Sequence, residues 1–322
     1  MNTNVETVKE TREKANYKEL LGKLGPLLAL IVLVVFVSVL SPDFLSLSNL
    51  MNLMRQVSIN ALIAFGMTFV IITGGIDLSV GSTLALTGAI IGGLIAGGTD
   101  PIIAMIIGVL LGFFLGAVNG LLITKGKIVP FIATLATMTI YRGATLVYTD
   151  GKPITGLDTT FLFQFMGRGY FYGIPFPIVI TLLIFAILFV VLHKTAFGRK
   201  VFAIGGNEKA AIIAGIKNAR VKMIVYGISG TLSAIAGIIL TSRLNSAQPT
   251  AGTSYEMDAI ASVVLGGTSM SGGRGRIFGT LVGALIIGTL NNGLNLLGVS
   301  TFYQQIVKGI VIIIAVLIDR KK

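Results

Sequence analysis

Few side chains in this 322-residue chain can do covalent chemistry. Cysteine is absent, which removes thiol nucleophiles, disulfides and zinc-thiolate sites. The single histidine, His193, stands beside Lys194 without the further ligands a metal site needs, and reads as an interfacial residue. No carboxylate pair, Ser–His–Asp set or activated nucleophile stands out. The Gly-rich stretch Gly266–Gly279 lacks the GxxxxGK[ST] spacing that cradles phosphate. What remains is polar chemistry set in apolar runs. Asp77 lies in TGGIDLSVGS, and a carboxylate at membrane depth is costly unless it faces a cavity or a partner. Asp77 or Ser79 also suits capping of the helix that follows. Asn60, Asn119, Asn292 and Asn295 place amides in apolar segments, where they bond across helices or line a path for an uncharged, hydroxyl-rich solute. Asn60, Asp77, Ser79, Asn119, Asn292 and Asn295 are therefore the candidate path residues, with helix packing as the competing role. Arg55 and Arg142, near span ends, read as snorkelling side chains.

The elements that must hold these groups are membrane helices. The composition is 54% hydrophobic and 12% charged, far from a soluble domain. Apolar runs of about 20 residues recur, the length that crosses a hydrocarbon core. The runs read as Leu24–Leu40, Leu50–Ile72, Ser82–Ala96, Pro101–Ile123, Ile128–Tyr148, Phe176–Leu192, Met223–Thr241, Ala259–Leu265 with its continuation, Ile277–Leu290 and Phe302–Ile318. The expected fold is thus an all-α, polytopic membrane protein of about ten transmembrane helices. Two spans are expected to be broken, near Gly74–Gly81 and Gly266–Gly275, with Gly74, Gly75, Gly266 and Gly267 as hinge glycines. The 41 glycines suit close helix packing. Pro130, Pro175 and Pro177 read as helix starts. Gly74-Gly75-Ile-Asp77-Leu-Ser79 is echoed by Gly266-Gly267-Thr-Ser269-Met-Ser271. Paired breaks of this kind point to a transport site near the midplane. The span count gives the two segments the same orientation, whereas a five-plus-five split gives inverted halves, so the parity stays open.

Basic residues set the orientation. With the N-terminus in the cytoplasm, 19 of the 25 Lys and Arg fall inside: those of the N-terminal segment, Lys125 and Lys127, the seven between Lys194 and Lys222, Arg274 and Arg276, and Arg320–Lys322. Residues 1–23 are then a cytoplasmic segment and 24–322 a single transmembrane domain with both termini cytoplasmic. This assignment absorbs the net charge of +12 without nucleic acid. The membrane lipid is the implied surrounding.

One stretch resists membrane placement. His193–Lys222, HKTAFGRKVFAIGGNEKAAIIAGIKNARVK, is basic, partly helical and water-facing. Within it Asn207–Ile216 reads as a short helix, capped by Asn207 and ended by Gly215. Its apolar face of Ala211, Ile212, Gly215 and Ile216 needs cover, from the membrane surface or from a groove on a cytoplasmic partner.

The piece GRKVFAIGGNEKAAIIAGI resembles the cytoplasmic coupling segment of sugar permease subunits of ABC importers, the ribose, xylose, arabinose and galactose group. TGGIDLSVGS, GKIVPFIATLATMTIYRG and the stretch from VVLGGTSMSGGRGRIFGT to the C-terminus are similar to the same family, from about Phe44 onward. The C-terminal part is most similar to ribose permeases. The resemblance implies a permease subunit, without a nucleotide site or cofactor of its own, in a bacterial plasma membrane. It would pair with a second permease copy, dock on a cytoplasmic ATPase that holds ATP and Mg²⁺, and receive a monosaccharide, ribose first, from an extracytoplasmic binding protein. It further implies that Gly205, Asn207, Glu208, Ala210, Ala211, Gly215 and Ile216 transmit ATPase closure to the membrane helices. The alternatives are an ion-coupled secondary sugar carrier, a passive channel, and a branched-chain amino acid importer of the same broad family.

Overall fold

The computed structural model describes residues 24–157 and 160–319; the 1–23 segment and Arg320–Lys322 lie outside the described residues. The described chain is helical apart from one hairpin of two-residue strands. α1 spans Leu24–Leu40. α2 (Leu47–Ile72), α3 (Val80–Ala96), α4 (Pro101–Thr124) and α5 (Pro130–Thr149) follow, then a short α6 (Phe161–Arg168). The hairpin β1 (Tyr170–Phe171) and β2 (Ile174–Pro175) leads into α7 (Phe176–Lys194). α8 (Ala196–Gly206) and α9 (Glu208–Ile213) precede α10 (Asn218–Leu244), α11 (Tyr255–Leu265), α12 (Ile277–Leu296) and α13 (Thr301–Asp319). Five of these, α2, α4, α7, α10 and α12, are long and apolar enough to cross a membrane. The chain is accordingly an all-α membrane protein.

Local chemistry sets the helix starts. The Ser46 hydroxyl accepts from the Asn49 N–H ahead of α2, and the Asp100 carboxylate accepts from the Ile102 N–H at 2.8 Å ahead of α4. Pro101 and Pro130 occupy first helical positions, where the missing N–H leaves nothing unpaired.

α2 and α10 form the centre. α2 packs on α7, α10, α11 and α12, while α10 packs on α2, α3 and α4. The α4–α10 contact is a glycine seam: a Cβ at Gly112 or Gly116 would strike the Gly230 or Tyr226 carbonyl of α10. Small residues four apart let the two axes approach in this way. A related seam joins α11 to α12, where Gly279 and Gly283 meet Gly266 and Ser262.

Each central helix is followed by non-helical backbone and then a short helix. Residues 73–79 separate α2 from α3, and residues 245–254 separate α10 from α11. Ala247 pairs with Ile154 in an isolated bridge and lies against Gly92, while Gly252 lies against Gly81. The second segment therefore runs back along α3 from its end to its start. Most of that segment is turn: the Ala251 N–H donates to the Gln248 carbonyl at 3.0 Å and the Tyr255 N–H to the Gly252 carbonyl at 3.2 Å. α11, eleven residues long, is too short to cross a bilayer alone.

That arrangement differs from the sequence expectation for the second break. Gly266–Gly275 is the turn joining α11 to α12, and the interruption precedes α11 instead. A Gly-rich turn and a broken span have the same composition, and the polar run 245–254 reads as an outer loop. The glycine contacts of α2 and α4 with α10, Gly66 at Ser229, Gly75 at Tyr226 and Gly120 at Met223, show that both run antiparallel to it.

Candidate functional site

Asp77 is enclosed, 1% exposed. Its carboxylate accepts from the Ser79 hydroxyl at 2.7 Å and the Ser79 N–H at 3.1 Å. The other oxygen accepts from the Ser229 hydroxyl of α10 at 2.9 Å. The Asn119 amide of α4 donates to the Ser79 hydroxyl at 2.8 Å. Asp77 thus closes an Asx turn just before α3 and ties α3, α4 and α10 together. Ser79 occupies the N-cap position without a side-chain cap bond, so the capping role falls to the turn rather than to either residue alone.

The remaining amides also hold helices together. The Asn60 amide of α2 donates to Ser262 of α11 at 3.2 Å. Asn292 of α12 exchanges two bonds, 2.8 and 2.9 Å, with Asn49 of α2. Asn295 accepts from Gln304 of α13 at 2.7 Å. Asn60, Asp77, Ser79, Asn119, Asn292 and Asn295 are thus distributed over several contacts, and none of them lines either cavity described next.

The first cavity, about 360 Å³, is lined by Ser82, Met138, Thr139, Arg142, Gly143, Leu146, Thr253, Ser254 and Glu256. It lies where the start of α3, the middle of α5 and the end of the 245–254 segment meet. Arg142 does not snorkel: one guanidinium nitrogen, Nη1, donates to the Pro249 carbonyl at 2.7 Å and the Ala251 carbonyl at 2.8 Å. Those carbonyls belong to unwound backbone, which needs donors wherever water is scarce. Glu256 and this role of Arg142 escaped the sequence reading. The available signal was Arg142 in an apolar segment, which calls for a partner.

The second cavity, about 700 Å³, is bounded by Thr73, Gly74, Lys127, Gly205, Asn207, Glu208, Ile212, Asn218 and Lys222. It gathers the α2 end, the α4–α5 turn, α8, α9 and the α10 start at one end of the molecule. The α11–α12 turn joins them, since the Gly273 N–H donates to the Ile72 carbonyl at 2.9 Å. Gly205 is wedged here, its α-carbon turned at the Ile72 carbonyl and the Gly273 nitrogen so closely that no side chain fits. Gly74 and Gly267 adopt φ of 79° and 84°, Gly75 lies under the Tyr226 hydroxyl, and Gly266 is packed on Gly279.

α9 is built as its sequence predicts. The Asn207 side chain accepts from the Ala210 N–H at 3.0 Å, and Gly215, at φ 80°, reverses the chain. Glu208 pairs with Lys222 of α10 at 2.7 Å. Ala211 is buried and Ile216 half-buried, yet Ile212 and Ile213 project outward, Ile213 at 88% exposure. Gly215 and Ala210 are exposed as well.

A helical bundle with five helices long and apolar enough to cross a membrane, and interrupted backbone within it, define a multi-pass membrane protein. The chain belongs to the family described as branched-chain amino acid transport system / permease component, which it matches over residues 49–316. It is 66% identical to the ribose import permease protein RbsC of Bacillus subtilis (strain 168) over 98% of both chains. It is 52% identical to the ribose import permease protein RbsC of Escherichia coli (strain K12), over 88% of this chain and 89% of that one. The D-allose transport system permease protein AlsC of Escherichia coli (strain K12) is 41% identical over 99% and 98% of the two chains. No solved structure gives a significant match. The protein is a transporter component rather than an enzyme, and a multi-pass protein of the bacterial inner membrane.

Proposed function

We propose that this chain is the membrane-spanning permease of an ATP-driven importer that carries ribose into the cytoplasm. The observation that carries the reading is 66% identity across 98% of a ribose import permease. Ribose is favoured over branched-chain amino acids because the ribose permeases are identical to it at more than half of the aligned residues.

In this reading, residues 24–322 form one transmembrane domain with ten crossings. The two shortened helices, α3 and α11, cross together with the non-helical backbone before them. Residues 1–23 and the C-terminus lie in the cytoplasm, as does the 193–222 segment. The positive-inside rule supports this orientation: Lys125, Lys127 and the basic residues from Lys194 to Lys222 share the end that holds Arg274 and Arg276. The partners are a cytoplasmic ATPase, an extracytoplasmic sugar-binding protein and a second permease copy. ATP and Mg²⁺ belong to the ATPase.

α9 is the docking point for the ATPase. Its exposed Ile212 and Ile213 suit an apolar groove. Gly205, at the end of the adjoining α8, bears directly on the α2 end and the α11–α12 turn, and so relays displacement to both central units.

Uptake of labelled ribose into a strain lacking its own permease, supplied with this chain and its ATPase and binding protein, tests the function. Uptake that survives an uncoupler and fails on ATP depletion is expected; the opposite pattern means an ion-coupled carrier. Paired Ile212→Asp and Ile213→Asp changes are expected to leave insertion unaltered and reduce ATPase co-purification and uptake by about tenfold or more, since apolar anchors dominate such contacts. Unchanged co-purification excludes α9 as the docking point.

A further inference from the structure

The cavity of about 360 Å³ between α3, α5 and the segment before α11 has features that helix packing does not explain. It opens on the face of α5 that carries exposed Thr139, Gly143 and Leu146. Arg142 holds the Pro249 and Ala251 carbonyls with Nη1 alone, and a guanidinium has five N–H donors. Glu256, half-buried, borders the same space without an ion pair to Arg142, together with Ser82, Thr139, Thr253 and Ser254. Facing lipid, an arginine and a glutamate at this depth would be costly. The exposed face of α7 shows what a lipid contact looks like here, with Leu182, Leu183, Ile187 and Val190 and no charge.

We infer that this cavity is a station for the sugar on its way through the membrane. Its volume lies at the small end of ligand pockets, about 300–1,000 Å³, which suits a single sugar ring. Glu256 accepts from sugar hydroxyls, the free edge of Arg142 donates to them, and the hydroxyls of Thr139 and Ser254 complete the set. Sugars present donors and acceptors at close spacing and no charge, which an acid, a guanidinium and neutral hydroxyls match together. The cavity also sits where the backbones of Gly81 and Gly252 touch, so relative movement of the two interrupted units opens or closes it. The inference deepens the importer reading and rests on it.

The chain has no cysteine, which makes single-cysteine probes clean. In the assembled transporter, Thr139→Cys is expected to react with a charged thiosulfonate about tenfold faster than Leu183→Cys on α7, because only the former meets water, and ribose is expected to slow that reaction. Glu256→Gln is expected to lower ribose uptake about tenfold, the value of one charge-assisted hydrogen bond, with binding-protein-stimulated ATP hydrolysis and thermal stability kept. Equal labelling of the two cysteines overturns the inference, as does uptake by Glu256→Gln that matches the unaltered transporter. A parallel fall of uptake, ATP hydrolysis and stability also overturns it, since Glu256 would then be structural. Failure of the importer reading shows separately, as absence of ATP-dependent ribose uptake by the unaltered transporter, and the labelling comparison still reports on the cavity.

Discussion

Two polar regions lie at the interruptions before α3 and α11, and they solve opposite problems. Before α3 the unwound backbone presents N–H groups, and Asp77 supplies the acceptor. Before α11 it presents carbonyls, and Arg142 reaches across from α5 to supply the donor. The first region is closed: every oxygen of Asp77 is taken by a residue of α10 or of its own turn, and Asn119 seals it from α4. The second is open, with a cavity on one side and Glu256 bordering it. The contrast teaches that an ionisable residue in a membrane helix identifies a place where backbone order fails. Whether that place is glue or passage depends on the side left uncovered.

The largest test removes the closed region. Asp77→Ala leaves the Ser79 N–H and the hydroxyls of Ser79 and Ser229 without their acceptor, a loss of about 3 kcal/mol for buried donors to a charged group. The expected outcome is a marked drop in thermally stable protein extracted from membranes. Asp77→Asn retains an acceptor oxygen and is expected to restore most of that stability and of the uptake. If Asp77→Asn folds normally yet abolishes uptake, the closed region takes part in transport and the contrast fails.

Arg142→Ala strikes the open region. The Pro249 and Ala251 carbonyls lose their donor, but the adjacent cavity admits water to them, so about 1–2 kcal/mol is expected. Limited proteolysis of detergent-solubilised protein reads this directly, as faster cleavage within residues 245–254. A loss as large as that of Asp77→Ala would mean that the second region is as closed as the first.

Much of the fold was legible because its determinants are local. Run lengths locate the helices, prolines mark where α4 and α5 begin, and the Asn207 cap of α9 needs only residues three apart. The polar bonds were not legible, since Ser229 stands 152 residues from Asp77 and Pro249 stands 107 from Arg142. Residues 245–254 misled for a related reason. Their polarity belongs to backbone folded back along α3, and only packing against Gly81 and Gly92 shows it. The ion pair of Asp258 with Lys308, at 2.9 Å, joins α11 to α13. It was visible only as a lone lysine in an otherwise apolar run.

The finest distinction lies within a single helix. Thr134 and Thr139 stand on two faces of α5. Thr134 is fully buried and its hydroxyl donates to the Pro130 carbonyl at 2.9 Å, with the Ile76 carbonyl beside Asp77 at 3.2 Å. Thr139 is exposed, and its hydroxyl turns back to the Leu135 carbonyl at 3.2 Å. Valine matches threonine in shape and deletes only the hydroxyl. Thr134→Val removes a donor from buried carbonyls, so about 1 kcal/mol of stability is expected to go with it, while uptake per folded molecule stays unchanged. Thr139→Val is expected to change stability by less than about 0.5 kcal/mol, as exposed sites do, while ribose uptake falls by about two- to threefold through one neutral hydrogen bond. Thermal midpoints and initial uptake rates on the same two preparations decide it. The hydroxyl on the closed face should register in the first measurement alone, the hydroxyl on the open face in the second alone, and a reversal of that pattern would place the passage on the other side of α5.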